Sequence, residues 1–352
     1  MENRVETLSI CIVAYNEEKY LPQLFADLKS QLYPHELIEV ILVDSASKDK
    51  TYEVMQDFKA SETSFRNIEV LTNEKRVQAA GWNIAISNAT SDVIVRIDAH
   101  THVPEDFSVK VMNEMKNGEM VVGGVRPCLI ENNSSWGSVL LNTENSLFGS
   151  SINKSRRSVE KQYVKTMFHA AYRREVFAKT GGFNENLLRT EDNEFHYRVR
   201  ENGYKLCYNP EIVSYQYARN SLKRMVRQKY GNGYWVGLTT GVCPKCLSIY
   251  HFIPLAFVLG IILTTIFCFF GFWQLATIMW GLYALFGVAN MILVVLNEKT
   301  TPLVLLMPFL FLILHVSYGV GTFVGLIKMP WRRKKLKRCS AIEKVKDIYL
   351  KK

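Results

Sequence analysis

The sequence predicts an α/β domain built on a mostly parallel sheet, followed by an α-helical membrane region. Three observations carry that prediction. Apolar, strand-like runs alternate with helical segments through the first 235 residues. Residues 250–328 hold only Glu298, Lys299 and Lys328 as charged side chains. Three runs in that span each reach the roughly 20 residues that a helix needs to cross a bilayer.

The elements follow in order. Residues 7–18 (TLSICIVAYNEE) read as a strand ending in Tyr15-Asn16-Glu17-Glu18, with a helix through Gln31. Residues 39–51 (EVILVDSASKDKT) give a second strand ending at Asp44, then a turn and helix start at Ser45, Ser47 and Asp49. IEVL at 68–71 is a third strand, followed by Asn73 and a helix across VQAAGWNIAISNAT. DVIVRIDAH at 92–100 is the fourth. Near-continuous apolar strands alternating with helices argue a parallel sheet covered on both faces. Asp98 and His100 stand two residues apart and share a side if the strand runs on. The carboxyl edge of such a sheet is where ligands bind. Each strand end also reads as an ordinary solvated turn. Three ending alike, at Asn16/Glu17, Asp44 and Asp98, favour a shared site.

Further along, Glu191–Asn202 reads as a helix with Thr190 as N-cap and Gly203 beyond its end. Its opening acids, Glu191, Asp192 and Glu194, also suit the helix dipole on structural grounds alone. Residues 222–235 read as an interfacial helix, basic towards headgroups and with Met225, Val226, Tyr230 and Trp235 towards lipid. A linker at 236–249 leads to the apolar runs 250–270, 273–296 and 302–327, and 329–352 is a basic cytosolic tail.

The net charge of +10 is concentrated in Lys223–Lys229 and in WRRKKLKR at 331–338. Beside membrane segments, such charge points to anionic lipid and not to nucleic acid. Glu2, Arg4 and Glu6, with a short apolar run after them, do not make a signal peptide, which places the soluble part in the cytosol and the chain in the cell membrane as a multi-pass protein. Three crossings would put the basic tail outside, whereas the positive-inside rule wants it inside. Either the 302–327 run, with His315 and the small residues Ser317, Gly319, Gly321 and Gly325, takes a non-standard path, or a further crossing exists. Seven cysteines suit a reducing compartment, and the CPKC at 243–246 lacks further zinc ligands nearby. No GxGxxG or GxxxxGK[ST] is present, so a bound nucleotide would be held through base and ribose, with a cation on its diphosphate.

The ordered set A-Y-N-E-E, V-D-S-x-S-x-D-x-T, D-A-H and TEDNEFHYRVRENGYKL resembles the GT-A domain of inverting family 2 glycosyltransferases across residues 7–235. D-A-H, RQKYGNGYW at 227–235 and the hydrophobic C-terminal third resemble, more narrowly, the succinoglycan-type exopolysaccharide glucosyltransferases of bacteria. The resemblance implies that Tyr15, Asn16 and Glu17 contact uracil and ribose, that Asp44 binds the base, and that Asp98 meets ribose and metal. It sets Gln78 and Asn83 near the nucleotide. His100 stands where the family's second metal-binding aspartate usually falls, which suits Mn²⁺ better than Mg²⁺ or leaves His100 to touch the diphosphate. Ser45-Ala46-Ser47 is a milder departure in the second-strand turn. Asp192 matches the general base, with Glu191 beside it on the acceptor side. His169 and Arg173, in FHAAYRREVFAKTGGF, match the acceptor-lining segment, though core or surface roles fit them equally. Arg227, Gln228 and Trp235 only loosely echo the Q-x-x-R-W motif of processive synthases.

The chemistry needs such a set. Fixed charge stabilises the leaving diphosphate, and a carboxylate takes the acceptor proton. The implied function is hexosyl transfer, as glucose from a UDP sugar, to a hydroxyl of a lipid-linked saccharide in cell-surface or exopolysaccharide synthesis. Two alternatives stand: a polyprenyl-phosphate sugar transferase, whose ionised acceptor needs no base, and a non-catalytic nucleotide-sugar-binding membrane partner.

Overall fold

The computed structural model describes residues 6–130, 134–149, 159–217, 221–337 and 339–351. It divides into two compact units. One comprises Met1–Pro127, Arg157–Gln216 and Arg338–Lys352; the other comprises Cys128–Arg156 and Tyr217–Lys337.

The first unit opens with β1 (Leu8–Ala14), α1 (Leu21–Lys29), β2 (Ile38–Asp44), α2 (Thr51–Ser61), β3 (Asn67–Thr72), α3 (Gln78–Asn88) and β4 (Val93–Asp98). These follow the expected alternation. Next come β5 (Thr101–His102), α4 (Phe107–Lys116) and β6 (Val121–Val125); β7 (Cys128–Leu129) and α5 (Ser135–Asn145) belong to the second unit. The first unit resumes with β8 (Gln162–Val164), β9 (Ala171–Arg173), α6 (Arg174–Thr180), α7 (Glu191–Glu201) and β10 (Leu206–Val213); β11 (Tyr215–Tyr217) begins in it and ends at the first residue of the second unit's next stretch. The sheet runs β3-β2-β1-β4-β9-β6-β10-β8. β1 to β4 pair in parallel, whereas β9 is antiparallel to both of its neighbours.

Strand alternation sorts β4 into two faces. Val93, Val95 and Ile97 pack with α1, α2 and α4. Ile94 packs with α3, α6 and α7, and Arg96 and Asp98 share its parity. Register then aligns the strand ends: Thr72 pairs with Asp44, Asp44 with Ala14, and Val13 with Asp98.

The stretch expected as a basic tail is more structured than the sequence suggested. α12 (Ser340–Lys351) packs on α3 and α6, burying Val345 and Tyr349 in the core that holds Phe177 and Phe195. The Tyr349 hydroxyl donates to the Ile86 carbonyl at 2.6 Å, and the Gly182 N–H donates to the Ile342 carbonyl at 3.0 Å. Gly181 needs its residue type twice over: φ is +76°, and a Cβ would meet the Ile342 carbonyl oxygen at 2.4 Å. Charge explains the misreading, because lysines on the outer face hid an amphipathic spacing of Ile342, Val345 and Tyr349.

In the second unit, α8 (Leu222–Thr239) extends four residues past the predicted end, and α9 (Ile253–Phe269), α10 (Trp273–Asn297) and α11 (Met307–Lys337) follow. Among the described residues, three helices are long and apolar enough to cross a membrane. α8 and α11 meet through small residues: a Cβ on Gly237 would lie 2.5 Å from the Thr322 carbonyl oxygen, and one on Gly325 2.2 Å from that of Tyr234. Met225 was expected to face lipid. It instead packs inside this unit with Met307, Leu310 and Leu314. Lys229 is buried too, with its Nζ 2.6 Å from Glu144.

Tyr349→Ala should destabilise the first unit by about 3 kcal/mol, as expected for emptying a buried aromatic site. Exposed Asp347→Ala is the control. Thermal unfolding in detergent decides it; equal melting temperatures for the two variants would show that α12 is not part of the core.

Candidate functional site

The loops after β1 and β2 are laced together by side chains from both. Asn16, in the left-handed region at φ 56°, donates its N–H to Ser47 Oγ at 2.9 Å and accepts from the Lys48 N–H at 2.8 Å. The Glu17 N–H donates to Thr51 Oγ1 at 2.7 Å, and the Lys50 N–H donates to Glu18 at 2.8 Å. Asp44 is buried and accepts from the Ser47 N–H at 3.2 Å. Tyr15 leaves this cradle with its ring open to solvent.

Asp98 is the hub of what lies beside it. Gln78 Nε2 reaches Oδ1 at 3.4 Å. His169 Nε2 lies 3.3 Å from Oδ2, Gln216 Nε2 3.4 Å and Arg126 Nη1 4.0 Å. Topology brings these together. β9 runs antiparallel to β4, so Ala171 faces Val95 and His169 lies two residues nearer the Asp98 end. The same pairing sets Arg173 opposite Val93, at the far edge. There it bonds Glu6 at 2.7 Å and the Met115 carbonyl at 2.8 Å. Arg173 is therefore a structural residue and not an acceptor contact. β11 pairs antiparallel with β5, Gln216 opposite Thr101, which delivers the Gln216 amide. Arg126 is steadied by stacking on Phe168, 3.6 Å from its ring centre.

Burial works against ionising Asp98, but the His169 hydrogen bond and the charges of His100 and Arg126 hold its carboxyl well below the usual range. Burial lowers His169 despite Asp98. A neutral ring with its proton on Nε2 donates to Asp98 and accepts the Ser214 hydroxyl, 2.7 Å from Nδ1. His169 adopts φ 41°, a strain on the order of 1 kcal/mol that the surrounding packing holds in place.

His100 was expected as a second metal ligand. Its Nδ1 lies 3.1 Å from Glu17 Oε1 and its Nε2 2.6 Å from Gln216 Nε2. Burial lowers its pKa, but the Glu17 bond and Asp98 outweigh this and raise it. A neutral ring with its proton on Nδ1 donates to Glu17 and keeps its Nε2 lone pair in the hydrogen bond from the Gln216 amide, so a cation at His100 would have to displace that amide. Among the described residues, Glu114, Glu119 and Cys207 form the one cluster with metal-like spacing. Lys161 already answers it, with Nζ 2.6 Å from Glu114.

α7 supplies the second group of acids on the same sheet face. Thr190 is its N-cap by position, without a side-chain capping bond. His196 is fixed between the Tyr172 hydroxyl at 2.8 Å and Thr166 at 3.0 Å. Burial and the charge of Asp192 push Glu191 up to about 8. Asp192 is also raised by burial, with Arg96 pulling it back. Arg96 itself was missed. It is buried between Trp82 and Phe183, 4.9 Å from each ring centre. Its Nε and Nη1 have no hydrogen-bond partner among the described residues. The signal was available: a lone arginine inside VIVRID, a strand otherwise apolar to its end. Asn83, expected near the nucleotide, instead clamps a turn. It accepts the Phe183 N–H at 2.7 Å and donates to the Phe183 carbonyl and Glu185 at 2.9 Å.

Glu191 yields a stability test. Its folded pKa lies above the unfolded one, so its contribution is complete below about 4.5 and is lost as pH rises towards about 8. Glu191→Gln should flatten the fall in melting temperature across that window. A wild-type curve parallel to the mutant's would refute the assignment.

Residues 9–181 match the family model for glycosyl transferase family 2. A dolichyl N-acetyl-α-D-glucosaminyl phosphate 3-β-D-2,3-diacetamido-2,3-dideoxy-β-D-glucuronosyltransferase of Methanococcus voltae is 28% identical over 91% of this chain and 97% of its own. The succinoglycan biosynthesis protein ExoA of Rhizobium meliloti is 27% identical over 64% of this chain and 67% of its own. Among solved structures, the mannosyltransferase PcManGT of Pyrobaculum calidifontis, in complex with GDP-Man and Mn²⁺, aligns over 96% of this chain and 89% of its own, at 17% identity and a TM-score of 0.54. The sequence motifs, the sheet and these likenesses converge: the chain is a family 2 glycosyltransferase with a GT-A fold.

Proposed function

We propose that the protein is a membrane-anchored, inverting transferase that moves a hexosyl group from a nucleotide sugar to a hydroxyl of a lipid-linked saccharide. UDP-glucose is the first donor to test. The observation that carries this reading is the common sheet face of Asp98, Arg96 and α7, which gives one strongly ionised acid and one raised pair.

In this reading Tyr15, Asn16, Glu17 and Asp44 hold the base and ribose from the β1 and β2 loops. Asp98 would hold a divalent cation, Mn²⁺ or Mg²⁺, beside the donor diphosphate. The ion supplies charge for the leaving diphosphate. Arg126, beside Asp98, adds a fixed positive charge at the same place. Glu191, protonated near neutral pH, leaves Asp192 as the group that accepts the proton of the attacking hydroxyl. The hydroxyl displaces the nucleotide directly, so the anomeric centre inverts and no protein nucleophile is needed.

The Methanococcus relative supports the acceptor class, because its name specifies a sugar on dolichyl phosphate and the alignment spans 97% of it. The three apolar helices among the described residues fit such a substrate; in this reading the catalytic unit works on the cytosolic face. A phosphate acceptor would need no base, and the raised acid pair on α7 favours the hydroxyl. Mild-acid lability of the product separates a sugar phosphate from a glycoside.

Asp192→Asn should lower transfer by roughly a thousandfold or more, the scale of a general base, while donor binding is retained. Asp98→Asn should instead abolish binding of the metal–donor complex. Radiolabelled UDP-glucose with a polyprenyl-linked sugar, and calorimetry for the donor, measure the two. Transfer by Asp192→Asn at the wild-type rate would end its assignment as base.

A further inference from the structure

We propose that the groove between α8 and α11 binds the polyprenyl phosphate portion of the acceptor lipid, an inference that rests on the lipid-linked acceptor above. The groove holds about 460 Å³, within the range of small-ligand sites. Lys223, Val226, Arg227 and Tyr230 line it from α8, and Val316 and Val320 from α11. The α8 residues recur at i, i+3, i+4 and i+7 and share one helical face. Its floor is fixed by backbone contact, since a Cβ on Gly321 would meet the Tyr230 carbonyl oxygen at 2.2 Å.

Charge identifies the ligand. Lys223 and Arg227 are exposed, and neither forms an ion pair among the described residues. Lys229 on another face of α8 behaves differently: it is buried and neutralised by Glu144. Where α8 packs against protein its cation has a carboxylate, and at the groove two cations stand open beside an apolar wall. A free phosphate would leave Val226, Val316 and Val320 in water. A neutral hydrocarbon would leave the cations unanswered. The wall, moreover, belongs to one of the three helices apolar enough to cross a membrane. An anionic head on a single branched chain satisfies both halves. That single chain suits a channel between two helices better than the paired acyl chains of a phospholipid.

The test uses the full chain in phosphatidylcholine nanodiscs, with undecaprenyl phosphate as probe and phosphatidylglycerol and inorganic phosphate as competitors. The double variant Lys223→Gln, Arg227→Gln should weaken probe binding by roughly tenfold or more, from two basic contacts to one phosphate. Val320→Trp, which fills the apolar wall, should weaken it similarly with both charges in place. Melting temperatures report that each variant is folded. Wild-type affinity in both variants would overturn the groove alone, and equal displacement by phosphatidylglycerol would reduce it to a general lipid surface. No probe binding by wild type would overturn the groove and the lipid-linked acceptor together.

Discussion

The alternation of side chains along β4 governs the catalytic unit. A strand sends successive residues to opposite faces, so Ile94, Arg96 and Asp98 cannot be separated from one another without unmaking the sheet. Val95 and Ile97 fill the opposite face and hold that register, because a slip of one residue would bury Asp98 among α1, α2 and α4. Parallel pairing with β1, and of β1 with β2, then fixes Asp98 and Asp44 at one edge. The helix that carries Asp192 covers the same face as Arg96. Convergence of acids from distant segments thus follows from strand geometry.

Burying Arg96 without a hydrogen bond at two of its nitrogens is costly, by several kcal/mol for an uncompensated charge. The Trp82 and Phe183 rings recover part of this by cation–π contact, and nearby carboxyls interact with its charge. Arg96 opposes the upward push of burial on both Glu191 and Asp192. Burial depresses His169 and His196, and the charge of Arg96 adds to that effect at both. One arginine thus acts in opposite senses on its surroundings, opposing burial at the acids without overcoming it and reinforcing burial at the histidines. Removing it would disturb the acids and the histidines together.

Much of this was legible in the sequence, and the boundary of legibility has a physical cause. Strand ends such as Asp44 and Asp98 could be read because apolar runs mark where strands stop; the contact of Gln78 with Asp98 emerges only once α3 is set beside that edge. Gln216 and Arg126 could not be read, since their positions depend on the pairing of β11 with β5 and on a fifth parallel-type strand whose neighbour is antiparallel. Arg173 and His169 show the limit well. Four residues apart in one extended motif, they lie towards opposite ends of β4, and the antiparallel sense of β9 decides that His169 and not Arg173 stands at the Asp98 end. The docking of α12 was hidden by lysines, although its buried positions were spaced as a helix requires.

The Gly181–Gly182 turn joins these arguments. It lies between α6 and α7, and it is gripped from two sides. A Cβ on Gly182 would strike Asn83 Oδ1 at 2.5 Å and Val345 at 2.6 Å. Arg198 of α7 donates to the Gly182 carbonyl at 2.7 Å and to Glu194. Asn83 fixes the next residue through both directions of its amide. So α3, α7 and the C-terminal helix meet at a point with no room for a side chain, nine residues before Glu191. Movement of α12 is coupled to the turn that leads into α7 through the backbone bond from the Gly182 N–H to the Ile342 carbonyl and through Val345, which leaves no room beside Gly182. The last helix of the chain is in that sense part of the mounting of its candidate base.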